Sequence, residues 1–258
     1  MIVLLASAKT LDFTTPWRAP STTTPERLDR AIALMARLRS LSAKQIAALM
    51  GVSPKIAQLN AERFQQFAAA HTKQNAKPAL LAYQGQVYRS MRAAQFTDDD
   101  LTFAHRTLRI VSGLYGVVRP LDLIQPYRLE MAIKLGGPGW KDLYDYWSES
   151  VTELVDHDSR ANGQLIINLA SQEYFRALRT DRLSSRVLAI TFKQWRNGRS
   201  DMVPILAKRA RGLMAGFIVR ERVVEPERLR AFRDEGYRFM ADESDDGEWV
   251  FLRRTAKA

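Results

Sequence analysis

The chain of 258 residues contains no cysteine. Disulfides, thiolate metal sites and thiol-based peroxide chemistry are therefore excluded. Histidine is almost as scarce. His71, His105 and His157 stand far apart, at no spacing that suits a metal site, and no metal is expected. No apolar run approaches the roughly eighteen residues of a membrane span. The opening Met-Ile-Val-Leu-Leu-Ala is too short for a signal peptide and lacks a basic leader. A cytoplasmic protein without a membrane partner is expected. Internal repeats and low-complexity tracts are missing. So are a glycine-rich phosphate loop, a nucleophile elbow and a His/carboxylate metal cluster. A lysine or tyrosine can carry out catalysis, but the sequence singles none out. Neither a known catalytic activity nor a cofactor is expected.

Acidic residues are in deficit as well: 28 against 39 Lys and Arg, a formal net charge of +11. A surface this basic favours polyanions such as nucleic acid, nucleotides or anionic lipid. The excess is uneven, with about fifteen Arg/Lys against about five Asp/Glu in residues 176–233. The plainer alternative is a set of solvated arginines.

The apolar fraction is ordinary and the length can bury a substantial core. Ile2–Ala6 reads as a buried central strand. Pro16 to Pro25 is a surface excursion. A helix is expected over Pro25–Leu38, capped by Thr23 or Thr24, and two more follow to make a helical insertion over about 24–70. Further strands are expected at Ala79–Tyr83, Arg109–Ser112 and Leu165–Leu169. Helices are expected at Gln86–Met91, Asp98–Leu108, Lys141–Val155, Gln172–Leu178 and Leu213–Val224. Val187–Trp195 and Asp201–Ala207 flank Asn197-Gly198 as a hairpin, and Tyr237–Ala241 pairs with Trp249–Arg253 in another. Alternation in the middle and hairpins at the end predict an α/β fold: one unit over 1–258 with a mixed sheet and helices on its faces. A monomer is expected.

The most informative stretch is Ala48-Leu-Met-Gly-Val-Ser-Pro-Lys-Ile-Ala57. Ser42 and Gln45 form a capping box for a first helix. Gly51 permits the left-handed geometry that stops it. Ser53 can cap a second helix with Pro54 at its first position. Ile56, Leu59, Phe64 and Phe67 are expected to supply apolar contacts. The turn then presents open backbone N–H groups beside Lys55, the parts of a phosphate-binding site. It resembles a helix-hairpin-helix, with Ser53 where a second glycine is usual. Gly51, Val52, Ser53 and Lys55 are the candidate contacts to double-stranded DNA. An αα-hairpin that only packs on the body is the alternative.

Four polar patches stand at strand ends or in loops: Ser7, Lys9 and Asp12; Arg119, Asp122, Tyr127, Arg128 and Glu130; Asn168, Ser171 and Glu173; and Lys208, Arg209 and Arg211, expected where a strand passes into a helix. Ligands collect at strand ends in open α/β sheets. A basic cleft of Lys9, Arg119, Tyr127, Arg128, Lys208, Arg209 and Arg211 is expected. Asp122, Glu130 and Glu173 serve either as ion-pair partners or in acid–base chemistry.

Several of these segments match one family. They are Ser7-Ala-Lys-Thr-Leu-Asp12, one residue shorter than the family's Ser-Pro-Ala-Lys-Thr-Leu-Asp; Ser112-Gly-Leu-Tyr-Gly-Val-Val-Arg-Pro-Leu-Asp122; Gln125-Pro-Tyr-Arg-Leu-Glu-Met131; Ile167-Asn-Leu-Ala-Ser-Gln-Glu-Tyr-Phe175; and Ala207-Lys-Arg-Ala-Arg-Gly-Leu-Met214. The chain resembles the YaaA family of bacterial peroxide-stress-resistance proteins over nearly its full length. The resemblance implies a cytoplasmic protein that protects cells from hydrogen peroxide. It also implies limits on free iron and on oxidative DNA damage, and DNA binding through a helix-hairpin-helix and a positive cleft. An uncharacterised enzyme or sensor that binds a phosphorylated small molecule in a basic pocket is the other reading left open.

Overall fold

Ile2–Ala6 forms β1, and its residues Ile2 to Leu5 are fully buried. A run apolar on both faces needs a sheet covered on both sides. The structure is a computed structural model that describes residues 1–196 and 198–254. After a two-residue strand β2 (Thr10–Leu11) and the proline-rich excursion come helices α1 (Leu28–Arg39), α2 (Ala43–Met50) and α3 (Pro54–Gln66). Then follow β3 (Lys77–Pro78), α4 (Ala79–Ala82), β4 (Tyr83–Gln84), α5 (Gln86–Met91) and α6 (Asp98–Thr107). The middle of the chain holds β5 (Leu108–Ser112), β6 (Gly116–Val118), β7 (Leu123–Ile124), α7 (Leu143–Arg160), β8 (Leu165–Asn168) and α8 (Gln172–Phe175). The last elements are β9 (Arg186–Arg196), β10 (Arg199–Asp201), α9 (Pro204–Arg220), β11 (Tyr237–Met240) and β12 (Glu248–Arg254).

The main sheet runs β11-β12-β9-β8-β1-β5-β6, with β10 added to β9. Strands β12, β9, β8, β1 and β5 are parallel, while β6, β10 and β11 join antiparallel. This is the mixed α/β sheet that the pattern predicts. Two short ribbons, β2–β4 and β3–β7, lie outside it. β1 has β5 on one side and β8 on the other, so the chain reverses its direction of travel across the sheet beside β1. Such a switch point leaves a crevice at the carboxyl ends of the strands. One cluster of buried side chains extends from Ile2 to Phe251 and takes in Leu34, Met35, Ile46 and Phe64 of the first three helices.

Local chemistry sets most boundaries. Thr97 and Asp100 form a reciprocal capping box at the start of α6. Three aspartates follow in its first turn, where the helix dipole favours them. Four expectations are corrected. α1 begins only at Leu28, and its N-cap, Arg27, makes no side-chain cap. Thr23 is engaged elsewhere: its hydroxyl donates to Asp122 Oδ1 at 2.6 Å. Ala79–Ala82 is a helical turn rather than a strand, since a four-residue apolar run carries no period and Ala and Leu favour helix. The strand expected over Asp201–Ala207 ends at Asp201, because Pro204 opens α9. Lys208–Gly212 therefore lies inside a helix, not at a strand-to-helix junction. Asn197 of the β9–β10 turn lies outside the described residues.

Candidate functional site

The hairpin is built by the residues that announce it. Gln45 N–H donates to Ser42 Oγ at 3.3 Å, and Ser42 N–H donates to Gln45 Oε1 at 2.8 Å. Gly51 ends α2 at φ 60°, ψ 42°. No atom lies within 4 Å of where its Cβ would stand, so the backbone angle, not crowding, calls for glycine. Ser53 is extended and accepts the Ile56 N–H at 3.4 Å, with Pro54 at the first helical position. Lys55 is exposed beside this turn, and its own N–H makes no intramolecular hydrogen bond among the described residues. The inward face of α3 differs from expectation. Ala57, Asn60 and Phe64 are buried, while Ile56 is 37% and Leu59 45% exposed. Phe67 is buried as expected. The helical period explains it: 57, 60 and 64 share a face that 56 and 59 do not.

A second site opens at the switch point. A cavity of about 230 Å³ is bordered by Ser7 and Lys9 after β1, Ser171 and Glu173 after β8, and Lys208 and Arg211 on α9. Three of the four polar patches meet there. Lys208 and Arg211 are three residues apart on one helix, so they share a face. Close packing of α9 on α5 brings that face to the strand ends. A Cβ on Gly212 would stand 2.0 Å from the Val87 carbonyl oxygen, so only glycine allows this approach.

Around the cavity the charges are tied unevenly. Lys9 Nζ lies 3.1 Å from Glu130 Oε1, and Arg128 Nη2 lies 2.9 Å from the same oxygen. Burial pushes the Glu130 carboxyl up, but Arg128 and Lys9 outweigh it and the net shift is down. Glu130 Oε2 and Arg128 Nε are buried without a partner. Behind this group, the Tyr127 hydroxyl lies 2.6 Å from both Tyr83 and Ser112. Burial raises the Tyr83, Tyr127 and Tyr174 phenols, so they stay protonated. Glu173 Oε1 accepts the Ala132 N–H at 3.2 Å. Asn168 Oδ1 accepts the Ala170 N–H at 2.9 Å and shapes the turn out of β8.

The remaining expected residues are placed elsewhere. Arg119 pairs with Glu26 and Asp122, each at 3.2 Å. Asp122 is buried against Thr23 and Arg119, and burial is the main reason its carboxyl is raised. Arg209 turns to the other side of α9 and its Nε donates to Glu235 Oε1 at 2.6 Å. Asp12 braces its own loop. Its Oδ1 accepts the N–H groups of Thr14 and Thr15 at 2.9 and 3.0 Å, and Oδ2 lies 3.3 Å from Lys77. The Thr15 and Thr14 bonds hold this carboxyl well below the usual range.

Two features escape the sequence reading. One is the meeting of the Tyr83 and Ser112 hydroxyls at Tyr127, which only the folded sheet assembles. The other is a larger cleft of about 890 Å³, bordered by Trp17, Lys77, Phe96, Asp98 and Asp99. Its buried cation, Lys77, already pairs with Asp12, and its rim is acidic, so it suits a polyanion poorly. Among the described residues no three His, Cys, Asp or Glu side chains come together to hold a metal ion, and no helix is long and apolar enough to cross a membrane.

Comparison with known proteins adds a family. The family model described as "Peroxide stress protein YaaA" matches residues 1–243. A UPF0246 protein of Ralstonia nicotianae is 44% identical over 257 residues, 99% of this chain and 100% of the relative. UPF0246 proteins of Cupriavidus metallidurans and Ralstonia pickettii are 44% and 45% identical over 258 residues, 98% of this chain and 99% of each relative.

Proposed function

The chain belongs to the peroxide stress protein YaaA family, and on that premise we propose that it protects cytoplasmic DNA under hydrogen peroxide stress by gripping duplex backbone without reading bases. The observation that carries this reading is the α2–α3 hairpin. It is supported by the turn of Gly51, Val52 and Ser53, which leads into the N-terminus of α3 with Lys55 exposed beside it. Phosphate is held by such groups, and contacts to phosphate carry no sequence information. The formal charge of +11 supplies long-range attraction to the same polymer. The test is duplex binding with several unrelated sequences across a salt series. Similar affinities that fall steeply with salt support the proposal. Salt-insensitive binding, or one strongly preferred sequence, contradicts it. The protein is read as a monomer. Its link to iron belongs to the same proposal: cells without the protein are expected to hold more free iron and more oxidised DNA under peroxide.

The cavity favours a second reading, an enzyme or sensor for a phosphorylated small molecule. Its support is that Lys9, Lys208 and Arg211, from two distant segments, border one small space.

A further inference from the structure

We infer that the switch-point cavity is a site for a terminal phosphomonoester, with Arg211 and Lys208 as the groups that hold the phosphate. This rests on the second reading above and narrows it to one class of phosphate ester.

The first ground is charge balance. Lys9 and Arg128 share the single Glu130 carboxylate, and Glu173 also borders the cavity, so with Lys208 and Arg211 the group keeps two net positive charges. Lys208 and Arg211 have neither an ion-pair nor a hydrogen-bond partner among the described residues, whereas Arg209 on the same helix is paired with Glu235. Arg211 is only partly exposed, and desolvation lowers its pKa. A cation taken from water without a counter-ion is unfavourable, and a bound anion offsets that. This net excess of two positive charges matches the charge of a phosphomonoester, about −1.5 to −2 at neutral pH. A backbone phosphodiester carries only one negative charge.

The second ground is size. About 230 Å³ is below the usual range for drug-sized ligands and has room for roughly one sugar-phosphate unit. A duplex with backbone continuing on both sides does not fit such a space, whereas a group that ends in phosphate does.

The third ground is position. The cavity lies outside the carboxyl ends of β1 and β8, where the order of strands reverses. Open α/β sheets place ligands there. The support is closely packed: Gly212 lets α9 lie directly against α5. The anion holder is thus set before any ligand arrives, which lowers the cost of binding.

A terminal phosphomonoester occurs on free sugar phosphates and on nucleic-acid ends. Calorimetric titrations separate these sources. The probes are ribose 5-phosphate, ribose, dimethyl phosphate as the diester, and a short blunt duplex with 5′-phosphate or 5′-hydroxyl ends. Ribose 5-phosphate, the 5′-phosphorylated duplex, or both are expected to bind at least about tenfold more tightly than the matching probe without the monoester. Arg211→Ala is expected to remove at least about tenfold of that preference. Lys208→Ala, at an exposed position that tolerates change, should remove a smaller part. Lys55→Glu should leave it intact. Preference for the duplex end alone assigns the site to nucleic-acid ends, and preference for the sugar phosphate assigns it to metabolites; either supports the inference. Equal binding of monoester and diester overturns the inference but leaves the second reading standing. Failure of every phosphate probe to bind overturns both, and a monoester preference that survives in both Arg211→Ala and Lys208→Ala overturns the assignment of those two residues.

Discussion

The hairpin and the cavity are both proposed here to hold phosphate, yet they are made in opposite ways. The hairpin is local. Residues 42–57 carry the caps, the turn glycine and the exposed lysine in consecutive order, and the fold adds only a surface to lean on. The cavity is assembled from the ends of β1 and β8, the β4–α5 turn and one face of α9. Its cations matter because their neighbours leave them unpaired, a property that belongs to the whole molecule. A local motif fixes its own geometry; an assembled site depends on packing far from the ligand.

That contrast is open to attack at the two glycines. Gly212→Ala forces a Cβ to within 2.0 Å of a backbone oxygen and must push α9 from α5. A loss of about 3 kcal/mol or more in denaturant unfolding is expected, together with loss of phosphate-ester binding. Gly51→Ala meets no atom within 4 Å and costs only left-handed backbone strain, about 1 kcal/mol. Equal costs for the two would remove the distinction between a packed and an open glycine.

Acid should act on the body that carries the cavity. His105 Nδ1 accepts the Leu121 N–H at 3.2 Å, which requires the neutral ring. Burial, then Arg119 and Arg109, lowers its pKa to about 4. The unfolded chain takes up this proton first, near pH 6.5. The stability tied to His105 is therefore complete above about pH 6.5 and is lost as pH falls towards 4. Between pH 7 and 5 the loss is about 2 kcal/mol. His105→Asn keeps an acceptor without a proton to gain, so its stability should fall less over the same range. Parallel losses in the two proteins would show that His105 is not the group responsible.

Within the hairpin the effects are smaller. Ser42→Ala removes the side-chain arm of the capping box, the Gln45 N–H to Ser42 Oγ bond, and keeps the backbone N–H to Gln45 Oε1; it should lower stability by about 1 kcal/mol, with no change in binding of ribose 5-phosphate. Coupled loss of that binding would mean the two regions are not independent.

The same contrast explains what could be read in advance. β1, β5 and β8 are visible because short apolar runs between polar turns leave few alternatives. The caps Ser42, Ser53 and Thr97 act on residues two or three positions away, so sequence suffices. Ala79–Ala82 is harder, since a run of four apolar residues suits helix and strand alike. The cavity was legible only in part. Lys9, Ser171, Glu173, Lys208 and Arg211 stand around it. Arg119 and Arg209 carry the same charge and lie in equally suggestive segments, but Glu26, Asp122 and Glu235 claim them. Asp122 is local, three residues from Arg119, but only the folded chain brings Glu26 and Glu235 alongside. The start of α9 decides the rest: once 208–211 are helical, residues 208 and 211 share a face and 209 turns away.

The most direct test of the claim that backbone phosphate is gripped at the hairpin is a salt titration of duplex affinity, with 5′-hydroxyl ends so that no terminal monoester contributes. It compares the wild type, Lys55→Glu and the double variant Lys208→Ala with Arg211→Ala. The account predicts that Lys55→Glu weakens binding several-fold for every sequence and makes the log–log salt slope shallower by about 0.9, one phosphate contact, while the double variant keeps the wild-type slope. An unchanged slope in Lys55→Glu, with a slope shallower by about two units in the double variant, would contradict it and place the DNA track on the cavity instead.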